Sequence, residues 1–256
     1  MRWDPGTYLQ FADERARPFL DLLARVDARE PRRVVDLGCG PGTLTQVLAD
    51  RWPAATVEGI DSSAEMVQRA EGLALPTRVS FMVGDLREWF PTEPVDVVVS
   101  NATLQWVPNH LALLPRLLAG VRPGGWLAVQ VPGNFGERSH TAIDDLLAQP
   151  RWRQRLATVA LERPAAEEPA TYLATLAPHV ARADVWETTY LHLLQGPDAV
   201  VRWVSGTGLR PVLSALQEDE REQFVVAYRD LVAPAYPERP WGTVLPFRRI
   251  FAVAQR

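Results

Sequence analysis

The residues best placed to do chemistry are three glycines and three acids: Gly38, Gly40 and Gly42 in the run Asp36-Leu-Gly-Cys-Gly-Pro-Gly42, with Asp61 and Asp85 downstream. The run follows the apolar, β-branched Val34 and Val35 and precedes a helical pattern through Leu44, Val47 and Leu48, so it reads as strand, tight loop and helix. Glycine permits backbone angles and close approaches that a Cβ would block, so Gly38 and Gly40 can press amides against a ligand at a helix N-terminus. The alternate spacing differs from the Gly-x-Gly-x-x-Gly of dinucleotide sites. Asp36 suits a ligand with a cationic amine better than a diphosphate, because a carboxylate beside phosphates is repelled. Asp61 ends a second strand, Val57-Glu-Gly-Ile-Asp61, 21 residues after Gly40. An acid at that distance can hydrogen-bond a ribose diol. The same Asp61, with Ser62, also reads as a capping group for the helix that follows.

These residues must be held by a sheet. A third strand is expected over Val79 to Leu86, closing in Gly84-Asp85-Leu86, and a fourth over Val95 to Asn101, apolar enough to be buried on both faces. The loop Asn101-Ala-Thr-Leu-Gln105-Trp106-Val-Pro-Asn-His110 then lies at the carboxyl end of its strand, where open α/β sheets bind ligands. Asn101, Gln105 and Trp106 offer amides and a ring there, although Trp106 could equally be core packing and His110 a capping residue before the helix over 111–120. Pro123-Gly-Gly125 turns into a fifth strand ending at Val131. The repeated β-α rhythm predicts a parallel sheet with right-handed crossovers. Beyond Pro132 the rhythm breaks into helical character (142–147 and 152–161), a sixth strand over 184–193, helices over 198–204 and 219–231 around Ser205-Gly-Thr-Gly-Leu-Arg210-Pro211, and a seventh strand over 247–254. Before the first strand, an aromatic arm (Trp3, Tyr8, Phe11) leads into a helix over 12–26. The arm is expected either to anchor on the core or to fold over the ligand pocket.

Bulk properties exclude several classes. With 27 basic and 31 acidic residues, net charge −4 and no basic tract, nucleic acid and charged membrane surfaces are poor partners. The single Cys39 excludes an internal disulfide and fits a reducing compartment. No signal-like start or long apolar run is seen, so a cytoplasmic location is expected, with no obligate protein partner and no metal. At 256 residues the chain is long enough for a real core and reads as one large domain or a domain with a cap.

From about Val34 to Val131, the Asp36-x-Gly-x-Gly-x-Gly loop, Asp61, Gly84-Asp85-Leu86 and the Asn101 loop follow in an order that resembles class I S-adenosylmethionine (SAM) methyltransferases. The resemblance implies a Rossmann-like α/β fold: a seven-stranded, mostly parallel sheet with helices on both faces and a helical cap. It implies SAM as cofactor, bound by Asp36, Gly38, Gly40, Asp61, Ser62, Asp85, Leu86 and Asn101, with Asp85 meeting the adenine amino group and Leu86 packing on the ring. It also divides a single domain, 1–256, into an arm and helix (1–30), a SAM-binding core (31–135), a helical insertion (136–180) and a cap between the last two strands (197–245).

Narrower markers resemble the trans-aconitate 2-methyltransferase family over essentially the whole chain, least clearly near 136–180. They are Trp3-Asp-Pro-x-x-Tyr8-Leu-x-Phe11 with Glu14-Arg-x-Arg-Pro18, the Asn101 to His110 loop, Thr188-Thr-Tyr190-x-His192, Trp203-Val204 and Thr207-Gly-Leu-Arg-Pro211. This implies SAM-dependent methylation of a carboxylate on a small tricarboxylic acid. A carboxylate of pKa about 4 is already ionised at neutral pH and needs no general base, so no catalytic residue is expected beyond positioning. The acid does need cations and donors, and guanidinium supplies a bidentate fork. The candidates are Gln105, Trp106, Tyr190, His192, Arg210 and Arg249, with the cations on the two non-reacting carboxylates. Competing readings are a methyltransferase for a carrier-bound malonyl thioester, a SAM-binding regulatory protein without catalysis, and a nicotinamide-dependent reductase. A basic docking patch would favour the first, and the glycine spacing with Asp36 disfavours the last.

Overall fold

A computed structural model describes residues 12–157 and 164–256, with side chains from residue 16 onward. The aromatic arm at Trp3, Tyr8 and Phe11 and the end of the helix expected over 152–161 lie outside the described residues. One seven-stranded sheet runs in the order β3-β2-β1-β4-β5-β7-β6. Its strands are β1 (Arg33–Leu37), β2 (Thr56–Asp61), β3 (Val79–Val83), β4 (Val95–Asn101), β5 (Val121–Pro132), β6 (Arg182–Leu194) and β7 (Thr243–Gln255). Helix α1 is Ala12–Leu23; α2 (Thr43–Arg51) links β1 to β2 and α3 (Ala64–Glu71) links β2 to β3. β1 pairs in parallel with β2 and β4, β2 with β3, and β4 with β5, so helical crossovers are required. β7 alone runs antiparallel to β5, from Trp126 opposite Gln255 to Pro132 opposite Arg249.

Two compact units are formed. The larger comprises 15–132, 165–188 and 249–256; the smaller holds the described parts of 133–164 together with 189–248. The larger unit's core joins Val35, Leu37, Ile60, Val98, Leu127, Val129 and Ile250 from the strands to Leu104, Leu117 and Tyr172 around them. β4 is buried along six of its seven residues, as its run Val97-Val98-Val99 requires of a central parallel strand. The smaller unit packs Trp152, Trp203, Leu209, Phe224 and Tyr228 around its helices α5 (Arg138–Ala148), α6 (Pro150–Arg155), α8 (Ala199–Ser205), α9 (Arg210–Ala215) and α10 (Glu218–Val232). Among the described residues, no helix is long and apolar enough to cross a membrane.

Where the elements depart from the sequence expectation, proline is the usual reason. The helix α7 (Pro169–Leu176) and α9 both begin at or beside a proline, which is tolerated in the first turn because its missing N–H would lack a helical acceptor there. β7 starts at Thr243 and not near Phe247, running through Pro246 although proline offers the ladder no N–H. The helix expected over 111–120 is a 3-10 turn, His110–Leu113, followed by α4 (Leu114–Ala119), with Pro115 in the first turn of α4. The third strand stops at Val83, leaving Gly84-Asp85-Leu86 as loop.

Candidate cofactor and acid-binding site

The three glycines that follow β1 all have positive φ: 80° at Gly38, 54° at Gly40 and 80° at Gly42. Their surroundings separate their roles. A Cβ on Gly38 would fall 2.0 Å from Thr103 Oγ1, and one on Gly42 would fall 2.8 Å from Ala70 and Phe81, whereas a Cβ on Gly40 meets nothing within 4 Å among the described residues. Gly38 and Gly42 therefore allow close packing, and Gly40 is the point at which backbone is open to a ligand.

Asp61 ties this loop to the next strand. Its Oδ2 accepts from the Gly40 N–H (2.9 Å) and its Oδ1 from the Ser63 N–H (2.9 Å). Ser63, not Asp61, caps α3, and Ser62 is exposed beside it. Each carboxylate oxygen keeps a second lone pair for a hydroxyl donor. Asp36 is buried and accepts from Thr45 Oγ1 at 2.6 Å. Burial pushes its pKa up to about 6, the Thr45 hydrogen bond opposes this, and the Asp61 charge adds to it. The neighbouring Cys39 thiol is raised far above its ordinary value by burial and then by Asp36 and Asp61, so it is not a nucleophile at neutral pH. Asp85 is engaged by Arg87, whose Nε donates to both carboxylate oxygens (3.0 and 2.8 Å) and lowers the Asp85 pKa. Leu86 is buried in the core.

Farther along the same sheet, β4, β5 and β7 carry polar side chains of another kind. Asn101 stands opposite Gln130, and Gln130 opposite Phe251 two residues from Arg249, so these side chains share one face. Gln130 is fully buried and Arg249 nearly so, and Arg249 Nη1 donates to Gln130 Oε1 at 3.2 Å. Three buried polar atoms here have no hydrogen-bond partner among the described residues: Asn101 Oδ1, Gln105 Oε1 and Gln130 Nε2. Gln105 Nε2 donates to the Ala102 carbonyl (2.6 Å), which uses one of its two amide hydrogens. Ala102 adopts φ 53°, a strained value for a residue with a Cβ, and its N–H donates to Gln130 O at 2.8 Å. Thr103 Oγ1 donates to the carbonyls of Gly38 (3.3 Å) and Asn101 (3.1 Å), so this loop is fastened to the glycine loop.

Trp106 is 46% exposed, which rules out core packing. His110 is buried against Tyr172, 2.7 Å from its hydroxyl with the rings stacked, and burial lowers its pKa; it is a packed pair and not a helix cap. Ala165 N–H donates to the Gln105 carbonyl (2.9 Å), so the segment leading to Tyr172 braces this loop twice.

In the smaller unit Tyr190 and His192 are both buried, with rings parallel at 6.3 Å, and His192 also stacks on Trp203 at 5.0 Å. Arg210 is exposed at the start of α9. The structure thus gathers Asp36, Gly38, Gly40 and Asp61 at one place, Asn101, Gln105 and Arg249 at a second, and Tyr190 with His192 at a third. Gln130 was not expected from the sequence. Its signal is a lone amide in the otherwise apolar run Trp126-Leu-Ala-Val-Gln130-Val.

The methyltransferase-domain family matches residues 8–175. A trans-aconitate 2-methyltransferase of Streptomyces avermitilis is 52% identical over 260 residues, covering 99% of this chain and 97% of the relative. One from Rhodococcus jostii is 51% identical over 255 residues, with 99% of each chain covered. The chain belongs to the trans-aconitate 2-methyltransferase family.

Solved structures extend the likeness of this trans-aconitate 2-methyltransferase family member at the level of fold. The YcgJ protein of Bacillus subtilis matches with a TM-score of 0.61 at 14% identity, covering 93% of this chain and 97% of that one. Phosphoethanolamine N-methyltransferase 2 of Haemonchus contortus, solved in complex with S-adenosyl-L-methionine, matches with a TM-score of 0.57 at 16% identity, covering 93% of this chain and 52% of that one. The seven-stranded sheet with its antiparallel β7 is the shared Rossmann-like methyltransferase architecture.

Proposed function

We propose that this chain transfers the methyl group of SAM to a carboxylate oxygen of trans-aconitate, giving a monomethyl ester and S-adenosylhomocysteine. The observation that carries this reading is the change of charge along one edge of one sheet. β1 and β2 carry the carboxylates Asp36 and Asp61 at or next to their last residue, while β4, β5 and β7 offer Asn101, Gln130 and the guanidinium of Arg249.

The residues present fit SAM. Gly40 leaves open backbone, Asp61 keeps acceptor capacity for a ribose diol, the buried Asp36 carboxylate favours a cation, and Asn101 Oδ1 is a buried acceptor suited to an ammonium. Ser62, Asp85 and Leu86 complete the proposed cofactor set, with Asp85 sharing its carboxylate between Arg87 and an adenine amino group. SAM supplies an electrophilic sulfonium methyl. The acid reaches the site already ionised, so the chain's own residues bind, orient and exclude water. Arg249 meets a non-reacting carboxylate, with Gln105 and Trp106 on the neighbouring loop. Tyr190, His192 and Arg210 keep the acid-binding role expected from the sequence, each open to test by single substitution. A reducing, cytoplasmic location without obligate macromolecular partners is part of the same reading, supported by the single cysteine and the lack of a basic tract.

Incubation with methyl-labelled SAM and trans-aconitate, followed by mass analysis, tests the proposal. A labelled mono-ester is expected. Label appearing on a carrier-bound malonyl thioester but not on trans-aconitate would replace the substrate assignment, and SAM binding without any transfer would replace the enzymatic one.

A further inference from the structure

A buried guanidinium such as Arg249 attracts any anion and does not by itself choose among acids. Its partner Gln130 can. A guanidinium only donates and an amide carbonyl only accepts, so the 3.2 Å contact fixes the Gln130 amide with Oε1 toward Arg249 and Nε2 away from it. That Nε2 is buried and without a hydrogen-bond partner among the described residues, in a side chain that is 0% exposed. A glutamate in its place would bring negative charge against the guanidinium and repel an incoming carboxylate. An apolar residue would leave Arg249 Nη1 without this acceptor. Glutamine alone of these orients the cation, adds no charge of its own and keeps a donor in reserve. Phe251, on the same face opposite Gln130, stacks on Trp186 with ring centres 4.7 Å apart. This aromatic wall lowers the local dielectric and strengthens a polar contact made beside it.

We propose that Gln130 is a specificity-determining and positioning residue: it aims the Arg249 guanidinium, and its Nε2 donates to the same non-reacting carboxylate of the methyl acceptor. The inference rests on the functional reading above and deepens it.

The test uses the full chain with Gln130→Met and Gln130→Glu. Steady-state kinetics gives KM and kcat for trans-aconitate, and calorimetry gives S-adenosylhomocysteine affinity. Loss of a hydrogen bond to a charged group predicts a KM raised about 10- to 100-fold in Gln130→Met. Gln130→Glu is expected to exceed it because repulsion is added. In both variants, kcat at saturating acid changes less than KM, and S-adenosylhomocysteine affinity stays within about threefold of the parent. A KM within about threefold of the parent in either folded variant overturns the proposal, as does cofactor affinity falling in step with the acid's. If the unaltered protein fails to methylate trans-aconitate, the functional reading falls and takes this inference with it. Normal turnover with unaffected variants sinks the inference alone.

Discussion

The two polar stations on the larger unit's sheet edge are built by different means. At the ends of β1 and β2 the work is done by main chain: positive-φ glycines turn the loop tightly and leave the backbone uncovered at Gly40, and Asp61 is held by the N–H groups of Gly40 and Ser63. At β4, β5 and β7 it is done by side chains, with an amide holding a guanidinium and further amide atoms left over. A backbone cradle suits a ligand whose shape is fixed, as a nucleoside is. A side-chain station can be retuned for different acids by one substitution without touching the cradle. The stations should therefore fail separately.

The largest expected effect comes from breaking the second station. Arg249→Ala removes the charge-assisted hydrogen bonds and should lower kcat/KM for trans-aconitate by about 10²- to 10³-fold, at roughly 1.5–3 kcal/mol per contact to a charged group. S-adenosylhomocysteine affinity, read by calorimetry, should change less than about threefold. A parallel loss of both affinities would show that the stations are not separate.

Next in size is a stability gain at the first station. The Asp36 pKa of about 6 in the folded chain exceeds its ordinary 3.8, so the folded state binds this proton more tightly than the unfolded state does. Stability contributed by the protonated form is present below pH 3.8 and lost as pH rises through 6. At about 1.4 kcal/mol per tenfold change, the buried charge costs up to about 3 kcal/mol at pH 8. Asp36→Asn should recover part of this in urea unfolding at pH 8 and little at pH 4, since Thr45 can still donate to the amide oxygen. Cofactor affinity should show the opposite sign: in the parent it should fall as pH drops through 6, and in the variant it should be lower and flat. A variant no more stable than its parent at pH 8 would remove the buried charge from the account.

Much of the first station was legible in the sequence, and less of the second, for a physical reason. A backbone cradle needs glycines at fixed spacing and an acid at a strand end, so Asp36, Gly38, Gly40 and Asp61 announce it within a short run. The alternative that Asp61 caps α3 gave way to Ser63, whose hydroxyl accepts from the Met66 N–H, while Asp61 divides its carboxylate between the Gly40 and Ser63 amides. A side-chain station is assembled from residues distant in sequence, and Gln130 and Arg249 meet only through the antiparallel register of β5 and β7. Arg249 could be nominated because a tricarboxylate needs cations; Gln130 could not, since a lone amide in an apolar strand does not reveal what faces it. Likewise Trp106 gave no sign of its exposure, and the short helices α7 and α9 were hidden by prolines that serve in their first turns.

At a smaller scale, Asp61→Ala separates holding the loop from holding the ligand. It leaves the Gly40 and Ser63 N–H groups without their acceptor and removes the proposed ribose contact, so the dissociation constant for S-adenosylhomocysteine should rise about 10- to 100-fold. The KM for the acid, measured at saturating SAM, should move little. Unchanged cofactor affinity would reduce Asp61 to a loop fastener.

The smallest effect is expected at Gly40, and it distinguishes a cradle open to a ligand from one that is merely tight. A methyl at this position meets no atom of the described residues within 4 Å, so Gly40→Ala costs the fold only the penalty of a left-handed residue, about 1–2 kcal/mol in urea unfolding. At Gly38 the same change adds a clash with Thr103 and should cost the fold more. The Gly40 methyl would instead occupy space proposed for the cofactor and weaken S-adenosylhomocysteine binding about five- to tenfold, near 1 kcal/mol of overpacking. Should Gly40→Ala bind the cofactor as its parent does, the open backbone at Gly40 faces solvent and not the ligand, and the cradle must be carried by Asp61 and Asp36 alone.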